Sequence, residues 1–402
     1  MDLITEVFNY TLSSILIGIC GAWIFLIKSM TNSFRLTPYL DKFENTSNAN
    51  PKVSIILPAR NEEEFISKCL DSLIKQDYDN YEIIVIDDSS EDSTWKIISE
   101  YAKKYSKIVP VSARPKPEGW MGKNWACMEG YKKASGELLL FTDADTKHAE
   151  NVITLAVSHL NSFGLDALSV IPKMLTFDFW TNITLPMIST FLHTRFSALN
   201  VNNPKKKTGY FFGSFFILKK QTYREIGMHE GVKHEIIEDG ALGKKVKDAG
   251  YKMKMVRGEH LIEAIWARDR GTLWNALKRL MIPLYLQSGK IAIGLFLAIV
   301  FLLFVPFPIF AVSTSLPAET TSAKVLCITS AIASVLIYIG GIIEVKVGLK
   351  LKLRYALFAP LGSLVVTLGF LSGLLQAKRT SSVTWRGRSY SMKDHSQSSI
   401  RI

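Results

Sequence analysis

Two carboxylates, Asp143 and Asp145, are spaced one residue apart, and this spacing is the clearest indication of chemistry in the sequence. They follow the apolar run 138–141, which is typical of a buried strand. Both would therefore project from the strand's carboxyl end, where open α/β sheets bind their ligands. Such a pair can hold a hard divalent cation, and Mg²⁺ or Mn²⁺ in turn binds a diphosphate. Taken alone, the motif is also compatible with a solvated acidic turn.

A second acidic pair, Asp87 and Asp88, follows another strand signal at 82–86. In a parallel sheet the carboxyl ends of the strands lie at one edge, so this pair and the Asp-x-Asp pair are expected to share one crevice. Carboxylates gathered in this way repel one another and need a cation or hydrogen-bond donors. Capping of the following helix is the alternative explanation for Asp87 and Asp88.

A third acidic pair, Glu238 and Asp239, opens a helical pattern that ends at Gly250. Carboxylates at a helix amino terminus stabilise the helix dipole, which is one explanation for the pair. The chemical alternative is a general base, which needs a carboxylate within reach of an acceptor hydroxyl or phosphate.

The acidic pairs at 87–88 and 143–145 lie in a region where short apolar runs alternate with helical patterns. Strand signals cover 53–57, 82–86 and 138–141, and helical spacing of apolar residues covers 65–74 and 95–105. Asn61, with Glu64 three residues later, fits a capping box at the start of the first helix. The alternation predicts an α/β fold with a mostly parallel, Rossmann-like sheet and helices on both faces.

Four apolar stretches approach or reach the length of a transmembrane helix. They are 11–27, 291–312, 325–343 and 355–375, and Pro306 and Pro308 interrupt the second. The residues before the first stretch are acidic and include no Lys or Arg, so it fits a retained anchor better than a signal peptide.

The distribution of Lys and Arg predicts how these stretches are oriented. Basic residues at 28–42 and in the loop 346–354 place both segments in the cytoplasm. Three full C-terminal crossings would leave the basic tail on the other side, so we expect one stretch to be a re-entrant hairpin. The net charge of +12 fits anionic headgroups. Nucleic acid is not expected as a partner, because no basic stripe interleaves with aromatic residues.

The expected organisation has four parts in a multi-pass protein of the cell membrane. They are an anchor (1–30), a cytoplasmic α/β domain (50–285) with an interfacial segment (177–201), C-terminal transmembrane segments (291–375) and a basic tail (376–402). The interfacial segment is rich in apolar and aromatic residues and fits a segment that presses on the bilayer, with core packing as the alternative. The aromatic run 210–216 is expected to be a strand, with aromatic side chains that line a pocket or belong to the core.

Five motifs follow one another along the chain in a specific order. They are Pro58-Ala59-Arg60-Asn61-Glu62-Glu63 after the first strand, Asp87-Asp88-Ser89-Ser90 after the second, Gly122-Lys123, Asp143-Ala144-Asp145 and Glu238-Asp239. Over 52–281 this set resembles the family 2 glycosyltransferases with the GT-A fold. With its apolar segments, the chain is similar to membrane enzymes that glycosylate lipids, namely ceramide glucosyltransferase and the hopanoid-associated and carotenoid glycosyltransferases. The run Trp385-Arg386-Gly387-Arg388-Ser389-Tyr390 is similar to a tail of those groups that is thought to lie on the active-site side.

The resemblance implies a donor site for a nucleotide sugar, either a UDP-sugar or a GDP-sugar. Pro58, Arg60 and Glu62 would frame the nucleoside pocket. Asp88 would accept a hydrogen bond from the base, and Asp87 would support it.

The resemblance also implies how the metal and the acceptor are handled. The segment 177–201 would guide a lipid acceptor to Asp239, and the run 210–216 would line the acceptor pocket. Asp145, together with Asp143, would hold Mg²⁺ or Mn²⁺, and Asp143 would contact the ribose or the donor sugar. Lys123 would add positive charge there, with a solvated surface lysine as the alternative. Asp239, with Glu238 beside it, would take the acceptor's proton during direct attack on the anomeric carbon, which inverts that carbon.

The sequence departs from the processive members of the family, which carry Gln-x-x-Arg-Trp after the base motif. The nearest stretch contains Arg268 and Arg270, either of which could bind the diphosphate through two hydrogen bonds. Alternatively, the basic residues Lys278 and Arg279 that follow it only lie at the membrane surface.

Together these features predict a membrane-bound, metal-dependent inverting hexosyltransferase that moves one sugar to a lipid or lipid-linked acceptor. A processive polysaccharide synthase is the first alternative, which the absent Gln-x-x-Arg-Trp motif and the few membrane segments disfavour. A catalytically silent membrane scaffold is the second, and it gives no reason for three acidic pairs at strand and helix ends.

Overall fold

The computed structural model describes residues 3–43, 49–315, 320–379, 382–385 and 388–391. The helices are α1 (Leu3–Leu36), α2 (Ile66–Ile74), α3 (Thr94–Lys104), α4 (Gly122–Tyr131), α5 (Val152–Ser162), α6 (Phe179–Arg195), α7 (Ala198–Asn202), α8 (Lys220–Glu225), α9 (Glu238–Asp248), α10 (Arg270–Gln287), α11 (Gly289–Leu303), α12 (Pro306–Ser315), α13 (Thr321–Ile343) and α14 (Ala359–Arg379). Short 3₁₀ turns cover Glu230–Val232 and Leu353–Phe358, and a π turn covers Glu344–Gly348.

The strands are β1 (Val53–Ala59), β2 (Tyr81–Asp87), β3 (Ile108–Ser112), β4 (Leu138–Phe141), β5 (Thr146–His148), β6 (Ala167–Ile171), β7 (Lys173–Leu175), β8 (Phe216–Lys219), β9 (Met253–Arg257), β10 (Ile262–Ile265), β11 (Ser382–Trp385) and β12 (Arg388–Ser391). The chain divides into two units. The first contains α1, α6 and α10–α14, and the second contains the strands with α2–α5 and α7–α9. Most of the predicted basic tail, including Arg386, Lys393 and Arg401, lies outside the described residues.

The second unit is built on a seven-stranded sheet with the order β3-β2-β1-β4-β8-β6-β9. β8 runs antiparallel to both of its neighbours, β4 and β6, whereas the other four pairs in this sheet are parallel. The predicted mostly parallel α/β sheet is therefore confirmed. β1, β2 and β4 lie side by side and parallel, so their carboxyl ends and the loops that follow them meet at one edge.

Helices cover both faces of this sheet, which explains why its strands are apolar almost throughout. One face packs Leu57, Val85 and Leu140 of the strands against α2 and α5. The other packs Ile56 and Ile86, with further buried strand residues, against α4 and α9. α4 and α9 therefore pack on the same face of the sheet, and this shared face brings the residues at their amino ends into one region.

Two local predictions are wrong. Asn61 does not cap α2, which begins at Ile66 with Phe65 at its N-cap position. The Asn61 side chain instead accepts a hydrogen bond from the Glu91 backbone in the neighbouring loop, at 2.9 Å. The aromatic run 210–216 is not a strand before Phe216, because the Phe212 amide bonds to the Ser169 side chain (2.8 Å) rather than to a neighbouring strand.

Three helical segments of the first unit are long and apolar enough to cross a membrane: Leu3–Leu36, Thr321–Gly348 and Leu353–Arg379. α11 and α12 pass the same test together, but they are bent by 47°, as in a broken span or a re-entrant loop. The break occurs where the sequence predicted an interruption, because Pro306 cannot continue the preceding helix and begins α12.

Small residues in α14 let other helices approach its backbone closely. Gly362 lies against the backbone carbonyl of Ile183 in α6, and Gly369 lies against Leu277 in α10. Close approach at small residues such as glycine is typical of helix packing within membranes. α6, α10 and α14 therefore form one packed group.

α1 packs against a different set of helices. Its Trp23 side chain donates a hydrogen bond to the Leu302 carbonyl of α11 at 2.7 Å. The same indole ring covers Gly340 of α13. The N-terminal apolar helix is thus part of a bundle with α11 and α13 in the first unit.

Candidate active site

Lys123, in the first turn of α4, joins the acidic motif after β4 to the acidic pair that opens α9. Its Nζ atom lies 2.7 Å from Asp143 Oδ1 and 2.6 Å from Glu238 Oε1. The Lys123 and Glu238 side chains are only 18% and 6% exposed, so Lys123 is not a solvated surface lysine. Burial opposes its charge, yet Asp143 and Glu238 hold the pKa of Lys123 well above its usual range. The structure thus brings three predicted motifs together at the Lys123 ammonium group.

Asp239, the second residue of α9, lies beside this ion pair. Its Oδ1 accepts a hydrogen bond from the Gly240 amide at 2.8 Å. Burial and the adjacent Glu238 carboxylate raise the pKa of Asp239 to about 7, although the Lys123 charge opposes the shift. A carboxylate with a pKa near the operating pH is suited to accept a proton in catalysis.

Gly213 marks the place where these charged side chains converge. A β-carbon at this position would lie 2.9 Å from Asp239 Oδ2, 3.2 Å from Asp143 Oδ2 and 3.2 Å from Lys123 Nζ. Contacts this short are rarely tolerated, so only glycine fits here without moving the charged groups.

Replacing Gly213 with Ala is expected to lower transfer activity by at least about 10-fold, because displacing catalytic groups by a fraction of an ångström is costly. Unfolding temperature should change little, since the backbone here is not in the left-handed region. Steady-state kinetics and thermal unfolding of the variant measure both effects. Gly294→Ala is the matched control, because a β-carbon there meets nothing within 4 Å. Normal activity in Gly213→Ala would contradict this expectation.

The loops after β1 and β2 interlock at the same sheet edge. Asn61 and Ser89 both have positive φ angles, 52° and 56°, which are uncommon for residues other than glycine and often occur at functional sites. The Asn61 amide donates to Ser90 Oγ at 3.0 Å, and the Glu62 amide donates to Thr94 Oγ1 at 2.7 Å. The predicted nucleoside-pocket residues around 58–62 are thus fixed against the 87–94 segment.

The Arg60 side chain binds the backbone of the loop after β2. It donates to the Asp88 carbonyl at 2.7 Å and pairs with the Glu91 carboxylate at 2.9 Å. Asp87 ends β2, and its Oδ2 accepts from the Ser90 amide at 3.3 Å. Its Oδ1 is buried, with no hydrogen-bond partner among the described residues. A buried, unpaired carboxylate oxygen is costly, and a ligand that donates a hydrogen bond would relieve that cost.

Asp145, half-buried in the turn after β4, is the remaining member of the Asp-x-Asp motif. Within the described ranges, no three His, Cys, Asp or Glu side chains are grouped so that they could hold a metal ion. Asp143 and Asp145 offer the oxygen atoms that Mg²⁺ and Mn²⁺ prefer, but a cation of this kind needs about six ligands. These residues therefore fit a cation that receives further ligands from a bound diphosphate.

Arg268 and Arg270 belong to the first unit, at the start of α10. Between them, Asp269 forms a capping box with Thr272, so the local sequence fixes the helix start. The Arg270 guanidinium lies over the Trp180 ring, 5.1 Å from its centroid. Binding of the diphosphate by either arginine stays a prediction.

The sequence analysis placed three further residues in segments near the site but gave none of them a role of its own. Gly213 has no local signal, because its role depends on side chains from α4, α9 and the β4 loop. Tyr210 is likewise revealed by its position, where burial and then the Asp239 carboxylate raise the pKa of its hydroxyl. The third is Arg388 of β12, whose guanidinium contacts the Asp88 carboxylate at 2.6 Å.

Comparison with known proteins agrees with this geometry. The glycosyl transferase family 2 model matches residues 54–227. A 4,4'-diaponeurosporenoate glycosyltransferase from Staphylococcus haemolyticus is 29% identical over 196 residues, which cover 48% of this chain and 50% of the relative. A poly(ribitol-phosphate) beta-glucosyltransferase from Bacillus spizizenii is 42% identical over 96 residues, 23% of this chain and 15% of the relative. The chain thus spans about half or less of the curated relatives it matches.

A solved structure extends the likeness to nearly the whole fold. The mannosyltransferase PcManGT from Pyrobaculum calidifontis, in complex with GDP-Man and Mn²⁺, superposes with a TM-score of 0.54 at 15% identity. The match covers 91% of this chain and 99% of that structure. At this identity the likeness concerns the fold, and that fold is GT-A. Residues 54–227 therefore match the model of glycosyl transferase family 2, and the chain is similar in fold to GT-A glycosyltransferases.

Proposed function

We propose that the protein is a membrane-bound inverting glycosyltransferase that moves one sugar from a nucleotide sugar to a lipid or lipid-linked acceptor. The observation that carries the proposal is the convergence of Asp143, Lys123 and Asp239 beside Gly213. This cluster lies at the same sheet edge as the interlocked loops after β1 and β2. The 4,4'-diaponeurosporenoate glycosyltransferase and poly(ribitol-phosphate) beta-glucosyltransferase relatives support both the reaction and an acceptor that is a lipid or linked to one.

The donor is a UDP-sugar or a GDP-sugar bound at the loops after β1, β2 and β4. Pro58, Arg60 and Glu62 frame the nucleoside, and Asp88 accepts a hydrogen bond from the base. The buried Oδ1 of Asp87 supplies a further acceptor for the nucleoside. A divalent cation, Mg²⁺ or Mn²⁺, would be held by Asp145 and Asp143 and would offset the charge that grows on the departing diphosphate.

Asp239 is the general base of the transfer step. Its carboxylate takes the proton from the acceptor hydroxyl while the acceptor oxygen bonds to the anomeric carbon and the bond to the diphosphate breaks. Attack opposite the leaving group inverts that carbon. Lys123 holds Glu238 and Asp143 in place and, through its positive charge, keeps part of the Asp239 population ionised at neutral pH.

All parts of the second unit must lie on one side of a membrane. A segment of chain that leaves this unit and later returns to it therefore crosses the membrane an even number of times. Between β7 and α7, both in the second unit, the chain contains one long helix, α6, of 17 residues. One helix of this length cannot cross and return. We therefore assign α6 to the membrane interface, as predicted for the segment 177–201, where it would guide the lipid acceptor.

The same reasoning applies between β10 and β11, where the bent pair α11–α12, α13 and α14 are candidates to cross. An even number of crossings is met when two of these three candidates cross the membrane and the third does not. The basic loop 346–354 favours the cytoplasmic side, so the bent pair and α13 cross, and α14, which packs on α6, does not. With α1, this gives three crossings and a cytoplasmic second unit.

Thiol labelling of intact cells tests this arrangement. A cysteine introduced at Lys350 should be shielded from an impermeant reagent, whereas one at Ser313, near the end of α12, should react. Reaction at 350 and protection at 313 would instead favour α13 and α14 as the crossing helices.

The test of the function is transfer itself. Membranes that contain the protein are incubated with a panel of radiolabelled UDP- and GDP-sugars, and lipids are extracted. Label from one donor should enter the lipid fraction as a single product. Asp145→Ala or chelation of divalent cations should abolish it, and Asp248→Ala, an exposed residue of α9, should not. An unlabelled lipid fraction with every donor would contradict the proposal, and a ladder of lengths would instead indicate a processive synthase.

A further inference from the structure

The hairpin formed by β11 and β12 returns to the second unit after the last apolar helix. In β12, Arg388 uses two guanidinium nitrogens on one residue of the β2 loop. Nη1 donates to Asp88 Oδ2 at 2.6 Å, and Nη2 donates to the Asp88 carbonyl at 3.2 Å. The two residues are 300 positions apart in the sequence. A two-pronged contact of this kind fixes both partners in orientation as well as in distance.

This contact is sheltered from solvent. The Arg388 and Asp88 side chains are 22% and 6% exposed. Burial raises the pKa of Asp88, and the Arg388 and Arg60 charges oppose that shift. Arg60 donates to the Asp88 backbone carbonyl, whereas Arg388 reaches the carboxylate itself. Arg388 therefore directly pairs the charge of this buried carboxylate.

The contact leaves a clear place for a ligand. A carboxylate has two oxygens and about four lone-pair sites, and Arg388 occupies one direction on Oδ2. An ionised Asp88 accepts the ring N–H of a base such as uracil or guanine, whereas a protonated one would present a donor to it. Removing a partner from a buried charge pair leaves the remaining charge uncompensated.

We propose that Arg388 is a positioning residue of the donor site, which holds Asp88 ionised and oriented to receive the N–H of the nucleobase. The C-terminal hairpin is then a part of the nucleotide-sugar site, contributed by residues that follow the last apolar helix. This role rests on the proposed function, in which Asp88 recognises the base.

The experiment measures UDP and GDP binding by the full-length protein in detergent, together with KM and kcat for the donor identified above. Arg388→Ala is expected to raise the donor KM and the nucleotide Kd about 10- to 100-fold, as expected when one charged hydrogen-bonded partner is lost. The value of kcat and the acceptor KM should change much less. Arg388→Lys, which restores the charge without the fork, should recover part of the affinity. Arg224→Ala, on α8 of the same unit, is the matched surface control.

A double-mutant cycle separates positioning from a general effect on structure. If Arg388 acts through Asp88, the variant with both Arg388→Ala and Asp88→Asn should bind no more weakly than Asp88→Asn alone. Strictly additive losses, unchanged nucleotide affinity in Arg388→Ala, or tighter binding in that variant would each overturn the proposal. If the wild-type enzyme is active, any of these results overturns only the role of Arg388 and leaves the proposed function unchanged. A wild-type protein that binds neither UDP nor GDP contradicts both the role of Arg388 and the proposed function.

Discussion

Replacing Asp239 with Asn is expected to lower kcat/KM for sugar transfer by about 10²- to 10⁴-fold, the usual contribution of a general base. Asparagine keeps the size of the side chain but cannot take the acceptor's proton. Nucleotide affinity should stay close to that of the wild-type protein, since Asp239 is assigned to the acceptor and not to the donor. Transfer kinetics and nucleotide binding, measured on the same preparation, check both parts.

The pH profile provides a separate readout of the same residue. Because the pKa of Asp239 is raised to about 7, its carboxylate is protonated and inactive below that pH. We expect kcat/KM to rise as the pH increases through about 7 and to lose this rise in Asp239→Asn. Asp248→Asn, at the other end of α9, should keep the wild-type profile. If Asp239→Asn retained full activity with the same pH dependence, another group would have to be the base.

Replacing Lys123 with Met is expected to have the second large effect, because it removes the cation shared by Asp143 and Glu238. Loss of one partner from a buried ion pair typically destabilises the fold by about 3–5 kcal/mol. The methionine variant should therefore unfold at lower temperature and show little transfer activity. Denaturant unfolding and transfer assays measure the two losses.

Lys123→Met is also expected to shift the pH profile of transfer activity in a defined direction. The Lys123 charge lowers the pKa of Asp239, so its removal should move the rise in residual activity to higher pH. Lys123→Arg keeps the charge and should keep the profile near that of the wild type even if its activity falls. Lys133→Met, at an exposed position just after α4, is the control for loss of a lysine. A residual profile that moves to lower pH in Lys123→Met would contradict the electrostatic role.

Much of the second unit follows from local patterns in the sequence. The apolar runs that became β1, β2 and β4 are buried on both faces, so hydrophobicity alone marks them, and their predicted ends are at most two residues short. Parallel pairing then brings the loops after them to one edge. Local helical spacing likewise placed Glu238 and Asp239 at a helix start from sequence alone.

Local patterns failed where a distant group competes for the same atoms. Asn61 and Glu64 satisfy the spacing of a capping box, but the Asn61 side chain is used by the Glu91 amide, thirty residues further along. The run 210–216 has the composition of a strand, yet the Phe212 amide is used by the Ser169 side chain, 43 residues earlier in the chain. In both places a tertiary contact outweighs a weak local preference.

By itself, the sequence determined the kinds of charged group, their order and the strand or helix end at which each lies, because these depend on spacing within a few residues. Only the tertiary structure decided which groups meet. Lys123 pairs with Glu238, Gly213 leaves room beside Asp239, and Arg388 reaches Asp88. These contacts join residues separated by 26 to 300 positions, and no local periodicity encodes them. They form because the helices that carry the charged groups pack on one face of the sheet, and because the hairpin returns to the edge where the strands end.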